Sequence, residues 1–169
     1  MSHKVLSLLS IALLSVVGFS QAKANDKEQA NMAVMKRFYS EVANKGNFAL
    51  IDELLTQNFV ENEMLPGDEK PNREGVEQFF KMFRKAFPDA SYKVDFMFAK
   101  DDKVVVYLTI SGTQKGEFMG MPASGKKMSM KAIDIVRFVD GKAVEHWGVS
   151  DSMAMMQQLG ALPQQLSAK

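Results

Sequence analysis

His146 is one of two histidines in a chain of 169 residues, and the other, His3, lies in an N-terminal stretch that reads as a leader. The remaining imidazole sits in the segment Ala143 to Val149, which reads as a strand, across a hairpin from a second strand carrying Asp134. A carboxylate beside an imidazole in apolar surroundings can hold one proton near neutral pH, because the negative neighbour favours imidazolium while desolvation opposes it. That is equipment for general acid–base catalysis. The same pair also fits a plain structural role, a histidine packed in a sheet and oriented by an aspartate.

Whether the two residues share a face depends on the turn at Asp140-Gly141. A two-residue turn pairs Val139 with Lys142 and sends Asp134 and His146 to opposite faces. A three-residue loop with Gly141 in the left-handed conformation pairs Phe138 with Lys142 and sets Asp134 directly across from His146. The second register is the expected one, because it also places Arg137 and Glu145 on one face, where opposite charges meet.

Other polar groups are weaker candidates. Asp151 precedes the last helix and reads as its N-cap, with an acid–base role as the alternative. Glu61-Asn62-Glu63 follows an inward-looking Phe59 and could turn one polar group into a cavity. The methionines at 119, 121, 128 and 130 would suit Cu(I), with His146 as a further ligand. Period-two spacing and the use of methionine as a filler favour core and pocket lining instead, so no metal is expected. The glycine-rich stretch Gly116 to Lys127 lacks the Gly-Lys-Ser/Thr ending of a phosphate loop.

Positioning these groups falls to helices first and strands after. From Asp26 to Asn44, Ala30, Val34, Phe38 and Val42 recur at i, i+4, the ladder of an amphipathic helix that Gly46 stops. Asn47 can cap a short helix from Phe48 to Leu55, and Asn58-Phe59-Val60 leads into a polar loop through Pro71. A third helix spans Arg73 to Phe87 with Val76, Phe80, Phe83 and Phe87 on one stripe. Beyond Pro88 the period becomes two, with Tyr92, Val94, Phe96 and Phe98 on one face. Strands follow at Val104 to Ser111, Met128 to Val139 and Ala143 to Val149, and a short helix, Ser152 to Leu159, ends at Gly160. The order predicts an α+β fold, with helices on one face of a curved, mainly antiparallel sheet of four or more strands.

Residues 1–24 read as a secretory signal peptide: His3 and Lys4, an apolar run from Val5 to Phe19, and Ala22-Lys23-Ala24 as the cleavage signature. The run falls short of the roughly 20 residues a spanning helix needs. Residues 25–169 are then expected to form one domain, released from the membrane into a periplasm or the medium. With no cysteine, a disulfide scaffold, a thiolate nucleophile and an iron–sulfur cluster are excluded. Basic residues number 21 and acidic residues 20, and loss of Lys4 and Lys23 would leave 19 against 20, so no basic field exists to hold nucleic acid.

Several segments together resemble the SnoaL-like polyketide cyclases and the ester cyclases grouped with them. These are Val34-Met35-Lys36-Arg37-Phe38-Tyr39, Gly46-Asn47 with Ile51-Asp52-Glu53-Leu54-Leu55, Gly116 to Pro122 with Ser124-Gly125-Lys126, and Asp140-Gly141-Lys142 with Glu145-His146-Trp147. The resemblance implies the cone-shaped α+β barrel of the nuclear transport factor two superfamily. It also implies a pocket between helices and sheet, and a homodimer through the sheet's outer face. Its chemistry is a cofactor-free aldol closure with an aspartate as acid and base, for which Asp134 and His146 are the counterparts here. Many relatives carry a histidine where this chain has Asn62 in Phe59-Val60-Glu61-Asn62.

The expected function is therefore an exported protein that takes a small apolar carbonyl compound without a cofactor. His146, tuned by Asp134, would move a proton from the carbon beside the carbonyl, and Asn62 would hydrogen-bond the oxyanion. Phe38 and Phe80 are the expected apolar substrate contacts. The alternative is a binding module that holds a hydrophobic metabolite without turnover. Trp147 and Ile135 are expected on the opposite side of the hairpin from His146, where an assembly surface could form.

Overall fold

A computed structural model of the chain describes residues 25–63 and 70–163. The signal peptide expected at 1–24 and the middle of the loop before Pro71 lie outside these residues. Helix α1 covers 25–37 and widens into a π-helical stretch, Phe38–Ala43. A 3₁₀ turn, Phe48–Leu50, leads into the single-turn helix α2, Ile51–Leu54, and directly into strand β1, Leu55–Glu61. Helix α3 is Arg73–Ala86, strands β2 to β5 are Ser91–Lys100, Lys103–Thr113, Lys127–Val139 and Lys142–Ser150, and helix α4 is Ser152–Leu159.

The five strands form one sheet in the order β1-β5-β4-β3-β2. β2 to β5 pair antiparallel, and β1 joins β5 as a parallel edge. The architecture is α+β as expected, but the sheet is mixed and open: β1 and β2 are both edges, so the barrel does not close. The second helix is shorter than the reading from Phe48 to Leu55, because Leu55 turns extended (φ −109°, ψ 147°) and starts the edge strand. Alternation from Phe59 to Glu61 was available in the sequence, but four polar residues in Thr56 to Glu61 masked it.

One face of the sheet carries the core. Val104, Val106 and Leu108 of β3 and Met128, Ala132, Val136 and Phe138 of β4 are buried beneath α1 and α3. Phe83 and Phe87 of α3 stack at 4.7 Å, and Phe118 meets both edge-on. Asn72 caps α3 by accepting from the Gly75 amide, and α4 is capped by Asp151, whose Oδ1 accepts the Ala154 amide at 3.0 Å. The latter is the structural role read for Asp151. Gly160 closes α4 in the left-handed conformation at φ 85°.

Three departures from simple periodicity decide which side chains face inward. Along α1 and its π-helical end the buried ladder is Asn31, Met35 and Tyr39, one residue on from Ala30, Val34 and Phe38; Val42 is buried as expected and Ala30 is exposed. The inward stripe includes polar groups with a task, which a hydropathy count passes over. In β2 the pairing shifts between Val94 and Phe96, so Asp95 is an extra residue and Phe96 and Phe98 turn to the outer face. Phe96 then stacks on Tyr107 at 5.0 Å on the solvent side.

The third departure corrects the hairpin. Asp140 and Gly141 both have positive φ, 49° and 77°, and Val139 pairs with Lys142, so the turn has two residues rather than three. A bulge between Arg137 and Phe138 then shifts the register, after which Arg137 faces Glu145 and Val136 faces His146. Asp134 lies opposite Gly148, two residues along from His146 on the same face. The shared face arises from the bulge, not the loop. The Arg137–Glu145 ion pair at 2.9 Å, the charge argument for the expected register, is satisfied by this route instead.

Candidate active site

Between the inner sheet face and helices α1, α3 and α4 lies a cavity of about 300 Å³. Its walls are largely apolar, with Phe79, Phe83, Phe118, Leu108 and Met130 among them. Phe38 and Phe80, the expected substrate contacts, both line it and meet at 5.4 Å. Asp134 and His146 line it as well, side by side at one end. Asn62 does not. It is exposed, and its carboxamide nitrogen donates to the His146 carbonyl at 2.8 Å, so it braces β5 from outside and cannot reach an oxyanion in the cavity. The reason is alternation: with Glu61 facing inward on β1, its neighbour must face out.

The imidazole of His146 is held between two carboxylates. The parallel pairing of β1 with β5 sets Glu61 beside His146, and Glu61 Oε1 lies 2.6 Å from Nδ1. On the other side Nε2 is 3.4 Å from Asp134 Oδ1. All three side chains are less than a fifth exposed. Burial alone would lower the His146 pKa, but the hydrogen bonds and charges of Asp134 and Glu61 outweigh it and push it up to about 10. The raised pKa favours the imidazolium at neutral pH, which suits the ring to donating a proton.

Two more groups complete the cluster. The Tyr39 hydroxyl donates to Asp134 Oδ2, and burial together with that carboxylate holds the phenol well above its ordinary pKa. Glu63, just past β1, also lines the cavity, and its Oε1 accepts from Ser150 Oγ at 3.0 Å. Burial raises the Glu63 pKa against that hydrogen bond, with the charge of Asp134 adding to the rise. Tyr39, in the π-helical stretch after α1, carried no signal of a site role beyond its place in the family-like segment Val34 to Tyr39. Phe59, Glu61 and Glu63 share period-two parity, which was the available sign that both glutamates face the same way.

Gly148 makes the room. A Cβ built there would overlap the Glu63 carboxylate and come within 2.9 Å of His146 Cε1. Gly148→Ala should therefore shift Glu63 and His146 together and cost about 1–3 kcal/mol. Urea unfolding and the His146 ring resonances by NMR would check it, and an unmoved ring with unchanged stability would contradict the packing described.

Glu63, Asp134 and His146 also present ligand atoms within 4.8 Å of one another. A cation there would need Nε2 deprotonated, against the two carboxylates that favour its proton. The methionines read as possible Cu(I) ligands are placed otherwise: Met128 and Met130 are buried in the core, and Met119 lines the cavity. The cluster as built is thus three carboxyls, one imidazolium and one phenol at the end of an apolar cavity. It can take a proton on Asp134 and offer one from His146.

A family model described as SnoaL-like polyketide cyclase matches residues 33–159. The aklanonic acid methyl ester cyclase DnrD of Streptomyces peucetius is 38% identical over 53 residues, which are 31% of this chain and 37% of that protein. The nogalonic acid methyl ester cyclase of Streptomyces nogalater is 33% identical over 57 residues, 34% of this chain and 42% of that one. The aligned segments thus span less than half of the curated relatives' length. Over a longer range, the structure of TsrD from Streptomyces laurentii covers 79% of this chain and 97% of its own, with 29% identity and a TM-score of 0.72. A SnoaL-like polyketide cyclase of Agrobacterium tumefaciens shares the fold at 20% identity and a TM-score of 0.60, covering 72% of this chain and 92% of its own.

Proposed function

The chain belongs to the SnoaL-like polyketide cyclases, and from that premise we propose that it catalyses cofactor-free proton transfer on a small apolar carbonyl compound, in a cyclisation or an isomerisation. The observation that carries this reading is the convergence of Asp134 with the His146 imidazolium in an apolar cavity. Asp134 is the base: its carboxylate takes the proton from the carbon next to the carbonyl, and the electron pair moves onto the carbonyl oxygen. The His146 Nε2–H contact to Asp134 is loose at 3.4 Å, which leaves this donor for the enolate oxygen, the task first read onto Asn62. Glu61 holds the ring from the far side and Tyr39 orients Asp134. In a cyclisation the enolate carbon attacks a second carbonyl, and the resulting alkoxide takes the proton back from Asp134.

Hydrogen exchange on α-tetralone in D₂O, followed by NMR, tests this. Acceleration over the buffer rate at pH 7 is the expected result. Tight binding of the ketone with no acceleration would favour the rival reading, a binding module. The leader read at 1–24 supports action outside the cytoplasm.

We also propose a homodimer through the outer sheet face. Phe96, Phe98, Ile133 and Val149 are exposed there, Val149 by 74%, and Trp147 pairs with Ile135 beside them. An apolar patch of this kind on a sheet is an assembly surface more often than a solvent face. Val149→Lys should turn a dimer into a monomer in sedimentation equilibrium, and a wild-type monomer would rule the assembly out.

A further inference from the structure

Tyr92 lies in the cavity wall on the edge strand β2, two strands from β4, with its hydroxyl near enough to the acid–base cluster to feel the charge of Asp134. It is 6% exposed, and among the described residues its hydroxyl is the one buried side-chain polar atom without a hydrogen-bond partner. Nothing in its surroundings lets it turn outward. Its amide donates to Asn44 Oδ1 at 2.8 Å and its carbonyl accepts from Asn44 Nδ2 at 2.9 Å, which pins the backbone to the end of α1. Its ring is packed against Phe80 and Phe83, at 5.6 and 5.8 Å. A buried hydroxyl left unpaired is destabilising, and phenylalanine, already used for both neighbours in this wall, would remove the defect. A polar atom maintained at that cost in an otherwise apolar wall is explained by a partner that arrives with the ligand.

We propose that the Tyr92 hydroxyl donates a hydrogen bond to a second oxygen of the bound compound, distinct from the carbonyl that meets His146. This rests on the reading of the cavity as a carbonyl-binding site and narrows its ligand class. The compound carries two oxygen functions separated by an apolar, ring-shaped body that the phenylalanines can clasp. A volume of about 300 Å³ lies at the small end of ligand pockets, so the body is a single ring or a fused pair.

The test compares α-tetralone with its methoxy derivative bearing the second oxygen on the far ring, each titrated calorimetrically into wild type and Tyr92→Phe. Wild type should bind the methoxy compound about tenfold more tightly, and Tyr92→Phe should lose that preference while binding α-tetralone equally. The free variant should be as stable as wild type or slightly more so, because its buried defect is gone. A gain in stability with loss of discrimination is a combination that a purely structural tyrosine does not produce. Equal binding of both ketones by wild type, or a preference that survives Tyr92→Phe, overturns the assignment. If neither ketone binds, the carbonyl-binding reading itself fails, and the Tyr92 assignment falls with it.

Discussion

Asp134→Asn should slow α-hydrogen exchange on a bound ketone by roughly 10²–10⁴-fold, the usual worth of a positioned general base. The carboxamide is nearly isosteric with the carboxylate, and its oxygen can still accept from Tyr39. What it cannot do is take a proton. The inner side of His146 loses its charge partner, but Glu61 remains at 2.6 Å on the outer side, so the ring stays anchored. The variant should therefore keep its fold and its affinity for α-tetralone while losing turnover. Full exchange activity in a folded Asp134→Asn protein would remove the carboxylate from the mechanism and leave Glu63 as the next base in the cavity.

His146→Gln should destabilise the protein by an amount that depends on pH in one direction. The imidazole pKa rises from 6.5 to about 10 on folding, so the folded state binds the ring proton more tightly than the unfolded state does. Stability from this source is complete below pH 6.5 and is lost as pH climbs towards 10. Its full size is on the order of 5 kcal/mol. Glutamine keeps the shape and removes the charge, which leaves Glu61 and Asp134 facing each other without a cation between them. Urea unfolding of both proteins should give a wide gap at pH 6 that narrows by pH 10. A gap of constant size across that window would mean that the ring is not charged in the folded protein.

Much of this fold was open to reading and the exceptions have physical causes. The α3 stripe, the antiparallel order of β2 to β5, the cap at Asp151 and the closing Gly160 follow from local chemistry that residue type displays. Three features do not. A bulge adds one residue without changing composition, so Asp95 and the kink after Ala143 were invisible although each decides a face. The parallel β1 edge is largely polar and its partner strand lies 85 positions away, so the short alternation from Phe59 to Glu61 does not reveal the pairing. Asp134 and His146 were legible as a pair because a hairpin joins them. Glu61 was legible only as one of a polar trio that could face a cavity, and Tyr39 and Tyr92 not at all as site residues, since each reaches the cavity from a separate element.

That separation says something about when the site comes into being. Glu61 meets His146 across 85 residues, and Tyr39 meets Asp134 across 95. Contacts so distant in sequence close late, after the local hairpins have formed, because each must first overcome the entropy of a long loop. The hairpin of β4 and β5 already sets Asp134 beside His146, but it holds neither the Glu61 carboxylate nor the Tyr39 hydroxyl. Only when the N-terminal helix and the β1 edge dock does the ring gain its second carboxylate and Asp134 its phenol. The whole cluster, with Glu61 and Tyr39 in place, is thus a product of the complete fold and not of any single element.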